Sequence, residues 1–355
     1  MKIKNFDFKR FKDWSLEREK KTLDFLNGKG DSNVFLIEPV GCNFVICQTP
    51  QESLECQLEA ITRQMDFGGN YMPFLEPWFG VGVYANAFGA EYVWEEGTPP
   101  QTHYIAYSAE EADRIEAVEN YDCEAMNLVT SAIDYFLTET KGFIPISCTD
   151  TQSPFDTATL IWDSSDFFIS MFEAPEVVHR VLDKITRLLI DFSKKQIDLL
   201  GETWTKPGHI MASAKNGHGF AISDDNIVML SPEDYLNFSV PYNNKISKEF
   251  GGLAVHSCGN YERQLPALMQ TEGLLMVDGA FMTKNVDPTP NLDYKLFKDT
   301  FKNSNVILKT RMNQNWQEPF KEIYHPDMRM ILQVPPPPPD QSKETNRELL
   351  KRIID

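Results

Sequence analysis

The sequence predicts an α/β fold closed as a (β/α)8 TIM barrel, with an N-terminal helical extension and an aromatic-rich insertion. Three observations carry this expectation. Short apolar runs alternate with amphipathic helical patterns through the second half of the chain, the mark of βαβ units and a parallel sheet. The 355 residues suit a barrel of about 250 residues with additions. No Gly-x-Gly-x-x-Gly follows any apolar run, which disfavours the alternative, a doubly wound open sheet built around a dinucleotide. The whole chain, 1–355, reads as one barrel domain.

Leu16, Leu23 and Leu26 among many charges predict a lead-in helix from Trp14 to Asn27, within an extension over 1–30. Val34 to Ile37 predicts the first strand, and Gln51 to Met65 a helix that stops before Gly68 and Gly69. Residues 67–122 carry Tyr71, Phe74, Trp78, Phe79, Tyr84, Phe88, Tyr92 and Trp94 between glycines. That stretch is too apolar for a solvated linker, so it is either a pocket wall or an irregular lid.

Beyond it the rhythm is regular. A helix is expected over Glu124–Glu139, a strand over Phe143–Ser147, and a short helix near Thr157–Trp162. The longest helix is expected over Glu173–Leu200, with Pro175 in its first turn and Val177, Val181, Ile185, Leu188 and Phe192 along its buried stripe. Strands are read at His209–Ala212, Leu253–His256, Leu274–Val277, Val306–Lys309 and Met330–Val334. Helices are expected at Ser231-Pro-Glu-Asp234, over Tyr261–Met269 and from Tyr294. Residues 335–355 read as a Pro-rich connector, with Pro335 to Pro339 in polyproline II, and a final helix over Lys343–Ile354.

The net charge of −18 argues against nucleic acid, because phosphate contacts need clustered Lys and Arg. No run reaches the ~20 apolar residues of a membrane span. The segment Met1–Lys12 is basic and broken by charges, without the apolar core of a signal peptide. A cytoplasmic protein acting on a small molecule is the expectation. The six cysteines lack framework spacing and read as free thiols.

In a barrel, chemistry gathers where strands end. Those positions are Glu38, Cys148, Asp224, Asp225, His256, Cys258, Asp278, Arg311 and Gln333. His256-x-Cys258 sets a nitrogen and a sulfur side by side at a strand end, the pair zinc prefers. Asp224 and Asp225 are adjacent, so in extended backbone only one points inward. Asp225 and Asp278 are the candidate catalytic acids.

Phe220-Ala-Ile-Ser-Asp-Asp225, Leu230-Ser-Pro-Glu-Asp-Tyr235, Val240-Pro-Tyr242 and Val255-His-Ser-Cys-Gly-Asn260 resemble, in order and spacing, the uroporphyrinogen decarboxylase superfamily. Phe79-Gly80, Ala87-Phe-Gly-Ala90, Ser153-Pro-Phe155 and Met171-Phe-Glu-Ala-Pro-Glu-Val177 also look like its landmarks. The resemblance implies a (β/α)8 barrel. True decarboxylases of this family carry an Arg-rich segment near the first strand, where this chain has Glu38-Pro-Val-Gly-Cys42. The chain is therefore more similar to the cobalamin-dependent methyltransferase branch, whose His-x-Cys zinc site resembles His256-Ser-Cys258. That branch implies a zinc cofactor, a corrinoid, and a thiol or methylated small molecule as substrate.

The chain also departs from that branch. The branch supplies a further Cys after the last strand, where Ile331-Leu-Gln-Val-Pro-Pro336 stands here. A third zinc ligand then has to come from Asp225, Cys148 or Glu38, or the site is degenerate. No Asp-x-His-x-x-Gly corrinoid motif occurs, so a corrinoid would be carried by a partner protein. Two other readings stay open. One is a decarboxylase of a tetrapyrrole or other carboxylated substrate, using the charge of Asp225 or Asp278. The other is a non-catalytic ligand-binding barrel.

Overall fold

The computed structural model describes residues 3–281, 292–337 and 345–354. Its centre is a six-stranded parallel sheet in the order β1-β8-β7-β6-β5-β4. The strands are β1 Val34–Ile37, β4 Phe220–Ser223, β5 Leu253–Ser257, β6 Leu274–Ala280, β7 Ile307–Arg311 and β8 Met330–Gln333; β2 Tyr92–Val93 and β3 Gln101–Thr102 form a separate antiparallel ribbon. Between β4 and β1 the barrel wall is held by single parallel bridges, Gln152 to Ser223, Ile146 to Trp204 and Leu75 to Ile146. This is the (β/α)8 barrel the alternation predicts, with its N-terminal helix in place over Phe8–Leu26.

The period of two along each strand sorts the side chains. Phe35, Ala221, Ala254, Met276, Ile307 and Ile331 point into the barrel and form its floor with Met211. Leu36, Ile222, Val255, Val277, Leu308 and Leu332 point outward into the larger core shared with the helices. In the longest helix, Pro175–Leu200, Val178, Leu182, Ile185, Leu189 and Phe192 are fully or almost fully buried. Phe192 sits edge-on to Tyr84 at 6.0 Å and beside Tyr121 at 5.7 Å, so it joins this helix to the aromatic stretch. Phe192→Ala is expected to cost about 3–5 kcal/mol in urea denaturation, the range for truncating a buried aromatic.

Several local expectations change. His209–Ala212 is a turn, not a strand. Pro207-Gly208 introduces it, an antiparallel bridge joins Lys206 to Ala214, and Met211 and Ala212 are buried by plugging the barrel floor. An apolar run buried in a plug has no period to distinguish it from a strand. Phe143–Ser147 is reduced to bridges at Ile146. The helix expected over Tyr261–Met269 shrinks to Leu265–Leu268, because Pro266 has no N–H to give and belongs only in a first turn. A helix over Ser164–Glu173, capped by the Asp163 carboxylate, was not anticipated. The final helix begins at Asn346. Pro338, Pro339 and the expected helix start at Lys343 lie outside the described residues.

Candidate active site

Strand register builds the site. Ser223, His256, Asp278 and Lys309 are consecutive partners across β4, β5, β6 and β7. Each lies two residues beyond a floor residue (Ala221, Ala254, Met276 and Ile307), so the inward face turns polar at this level. Asp278 is the hub. It is fully buried. One oxygen accepts from Lys309 Nζ at 2.6 Å. The other accepts from Arg311 Nε at 3.0 Å and meets His256 Nδ1 at 2.7 Å. Burial alone would raise its pKa, but Lys309, Arg311 and His256 together hold the carboxyl well below the usual carboxylate range.

Fixing Nδ1 on Asp278 leaves Nε2 of His256 for the mouth. There it meets Cys258 Sγ at 3.1 Å and Asp225 Oδ1 at 3.8 Å. Burial opposes charge on the ring, yet the contacts to Asp278 and Cys258 outweigh it and raise the imidazole to about 9. Asp225 Oδ1 also accepts from the backbone N–H of Cys258 at 2.6 Å. Asp156, buried near the start of the helix Pro154–Ile161, accepts from the N–H groups of Asp225 and Asn226 at 2.6 and 2.9 Å. The Asp225 loop is therefore tethered on both sides. Arg311 approaches Cys258 Sγ at 3.9 Å.

Among the described residues, Asp225, His256 and Cys258 form the group of ligand-type side chains whose atoms all lie within 4.8 Å of one another. Imidazole, thiolate and carboxylate suit zinc, and three protein ligands leave a fourth position open. A histidine whose second nitrogen rests on a carboxylate is the usual support for such a ligand. The residues present fit the ion.

The other candidates fall elsewhere. Glu38 accepts from Asn346 Nδ2 at 2.7 Å beneath the final helix, and burial raises its pKa. Cys148 is buried, its thiol pushed up by burial and by Glu76. Neither joins the group. Asp224 turns away from Asp225 and accepts from Ser153 Oγ at 2.9 Å and Tyr235 OH at 2.8 Å. Burial raises it to about 6. Asp278, expected as a catalytic acid, has both oxygens occupied and no exposed surface, so it positions His256. Gln333 pairs in register with Arg311 at the rim.

A second polar cluster was not read from the sequence. The ring of His209 lies edge-on to His256, with centroids 5.9 Å apart. Its Nδ1 meets Glu76 Oε1 at 2.7 Å, and its Nε2 lies 3.7 Å from Asp150 Oδ1. Asp150 also accepts from Ser223 Oγ at 2.7 Å, Gln152 Nε2 at 3.0 Å and Trp78 Nε1 at 3.3 Å. Burial opposes charge on His209, but Asp150 and Glu76 raise it to about 9. The available signal was positional: Glu76 directly closes the apolar run Met72–Leu75, and Asp150 stands four residues after Ile146, where the run from Phe143 ends.

Comparison with known proteins bears on the fold and on the first part of the chain. Residues 43–203 match the uroporphyrinogen decarboxylase (URO-D) family, and Asp225, His256 and Cys258 lie beyond that match. The fold is similar to that of a methyltransferase from Methanosarcina mazei, with TM-score 0.64 and 13% identity over 95% of this chain and 97% of that one. No curated protein sequence matches the chain. Among the described residues no helix is long and apolar enough to cross a membrane.

Proposed function

We propose that this chain, a member of the uroporphyrinogen decarboxylase superfamily, is a zinc-dependent methyltransferase that moves a methyl group between a corrinoid protein and a small-molecule thiol or methylated substrate. One observation carries the reading: Asp225, His256 and Cys258 come together at the carboxyl ends of the barrel strands with one nitrogen, one sulfur and one oxygen all within 4.8 Å of one another. The fold shared with the Methanosarcina mazei methyltransferase supports it.

When bound there, zinc supplies a positive charge that keeps an incoming thiol ionised at neutral pH. The chain's own residues do the rest. Asp278 holds His256 by Nδ1 and so fixes the direction of Nε2. Lys309 and Arg311, each in contact with an Asp278 oxygen, keep Asp278 ionised. Cys258 is exposed, which opens the group to a substrate and to a bulky corrinoid-bearing partner. His209, held between Glu76 and Asp150 beside His256, is placed to hold a proton at Nε2 next to the reacting groups.

The reading is tested by supplying methylcobalamin and a panel of thiols to the zinc-loaded protein and following demethylation by absorbance. Turnover is expected in the wild type. Cys258→Ser should lose more than about a hundredfold, beyond what losing a supporting group costs a metal site. Absence of methyl transfer, together with decarboxylation of a carboxylated tetrapyrrole by metal-free protein, would replace this reading with the decarboxylase one.

A further inference from the structure

The three candidate ligands are not held alike. His256 stands on β5 and Cys258 follows the end of that strand, so the strand aims both. Asp225 opens the short turn Asp225–Met229, beyond the last β4 pairing at Ser223 and His256. No strand register fixes its direction. A carboxylate on a loop end serves as a ligand only when hydrogen bonds hold it there.

Those bonds come from the start of the helix Pro154–Ile161. Ser153 caps it, its Oγ accepting from the Asp156 N–H at 3.0 Å. Asp156 is only 2% exposed, and both its oxygens accept from main chain. Oδ2 takes the Asp225 N–H at 2.6 Å and Oδ1 takes the Asn226 N–H at 2.9 Å. The Asn226 side-chain amide donates to Thr159 Oγ1 at 2.8 Å. Ser153 Oγ and the Tyr235 hydroxyl donate to Asp224 and draw it into the interior. The Asp225 carboxylate is left at the mouth, 2.6 Å from the Cys258 N–H and 3.8 Å from His256 Nε2.

Capping does not need Asp156, because Ser153 already caps the helix. Burying a carboxylate against the acidic loop costs free energy that a neutral acceptor avoids. We infer that Asp156 is a positioning residue: by gripping the N–H groups of Asp225 and Asn226, it holds the Asp225 carboxylate within the ligand group. It thereby lets a loop oxygen complete a site in a chain that has no Cys after Cys258. The inference rests on the zinc reading and adds to it a residue whose side chain touches none of the ligand atoms.

The test is a double-mutant cycle on the zinc affinity of the full-length protein, read by competition against a chromophoric chelator. Asp156→Ala is expected to weaken zinc about 10–100-fold, the usual effect of removing a ligand's supporting partner. In an Asp225→Asn background the same change should weaken it by less than about twofold, since no carboxylate remains to be aimed. A general effect of charge or packing would persist there, so equal losses in both backgrounds overturn the proposal. Cobalt(II) gives a second readout. The visible absorption of cobalt-loaded Asp156→Ala should move towards that of Asp225→Asn, and a wild-type spectrum overturns the proposal. Tyr235→Phe removes a buried partner of Asp224 and leaves the Asp156 bonds in place, so it should leave zinc affinity unchanged. A loss there equal to that of Asp156→Ala would reduce Asp156 to packing. Should Asp156→Ala fail to fold, Asp156→Asn, which keeps the volume and one acceptor oxygen, carries the same cycle with a smaller loss. A wild type that binds no zinc refutes the zinc reading itself, whereas zinc held equally tightly by Asp156→Ala and wild type refutes this inference alone.

Discussion

Lys309→Met is expected to destabilise the protein by about 3 kcal/mol, although the new side chain nearly fills the old volume. Lys309 and Asp278 are both fully buried, and their contact of 2.6 Å replaces the water each has lost. Breaking a buried pair costs about 3–5 kcal/mol, because the surviving charge has neither solvent nor partner. The lower end applies here, since Arg311 Nε still faces the other Asp278 oxygen at 3.0 Å. Urea denaturation followed by circular dichroism measures it. A change below about 1 kcal/mol, the ordinary worth of an exposed pair, would show that the Asp278 hub is not held together by charge.

Asp278→Asn is expected to weaken zinc binding by about 10–100-fold, the usual effect of removing the group that supports a ligating histidine. The amide keeps the size of the carboxylate and removes its charge. His256 then loses the partner that fixes Nδ1 and aims Nε2 at Cys258. Competition against a chromophoric chelator gives the affinity, and a near-ultraviolet dichroism spectrum reports on the packing of the same sample. Unchanged affinity in a folded variant would reduce Asp278 to a structural charge.

The fold was legible where strands are short apolar runs between helical stripes. β5, β6, β7 and β8 were placed to within a few residues because both their faces are buried, one on the barrel floor and one on the helices. The wall near Leu75 and Ile146 was less legible: single bridges leave no run of paired residues for a period to show. At the site, His256-x-Cys258 could be read because strand and turn put both side chains at one mouth. Asp225 stood among three possible further ligands, since chain spacing says nothing about which loop end reaches across. The His209, Glu76 and Asp150 cluster joins residues far apart in the chain, and His209 sits in a plug that resembles a strand in its apolar content. Only closure of the barrel brings those groups together.

The central claim is that Asp225, His256 and Cys258 hold one zinc ion. Elemental analysis of the purified wild type beside His256→Ala, Cys258→Ser and Asp225→Asn tests it most directly. Near one zinc per chain is expected in the wild type, lost in the His256 and Cys258 variants and weakened in the Asp225 variant. A wild type that takes up no zinc when the ion is supplied under reducing conditions, or zinc that stays bound in both ligand variants, would contradict the account.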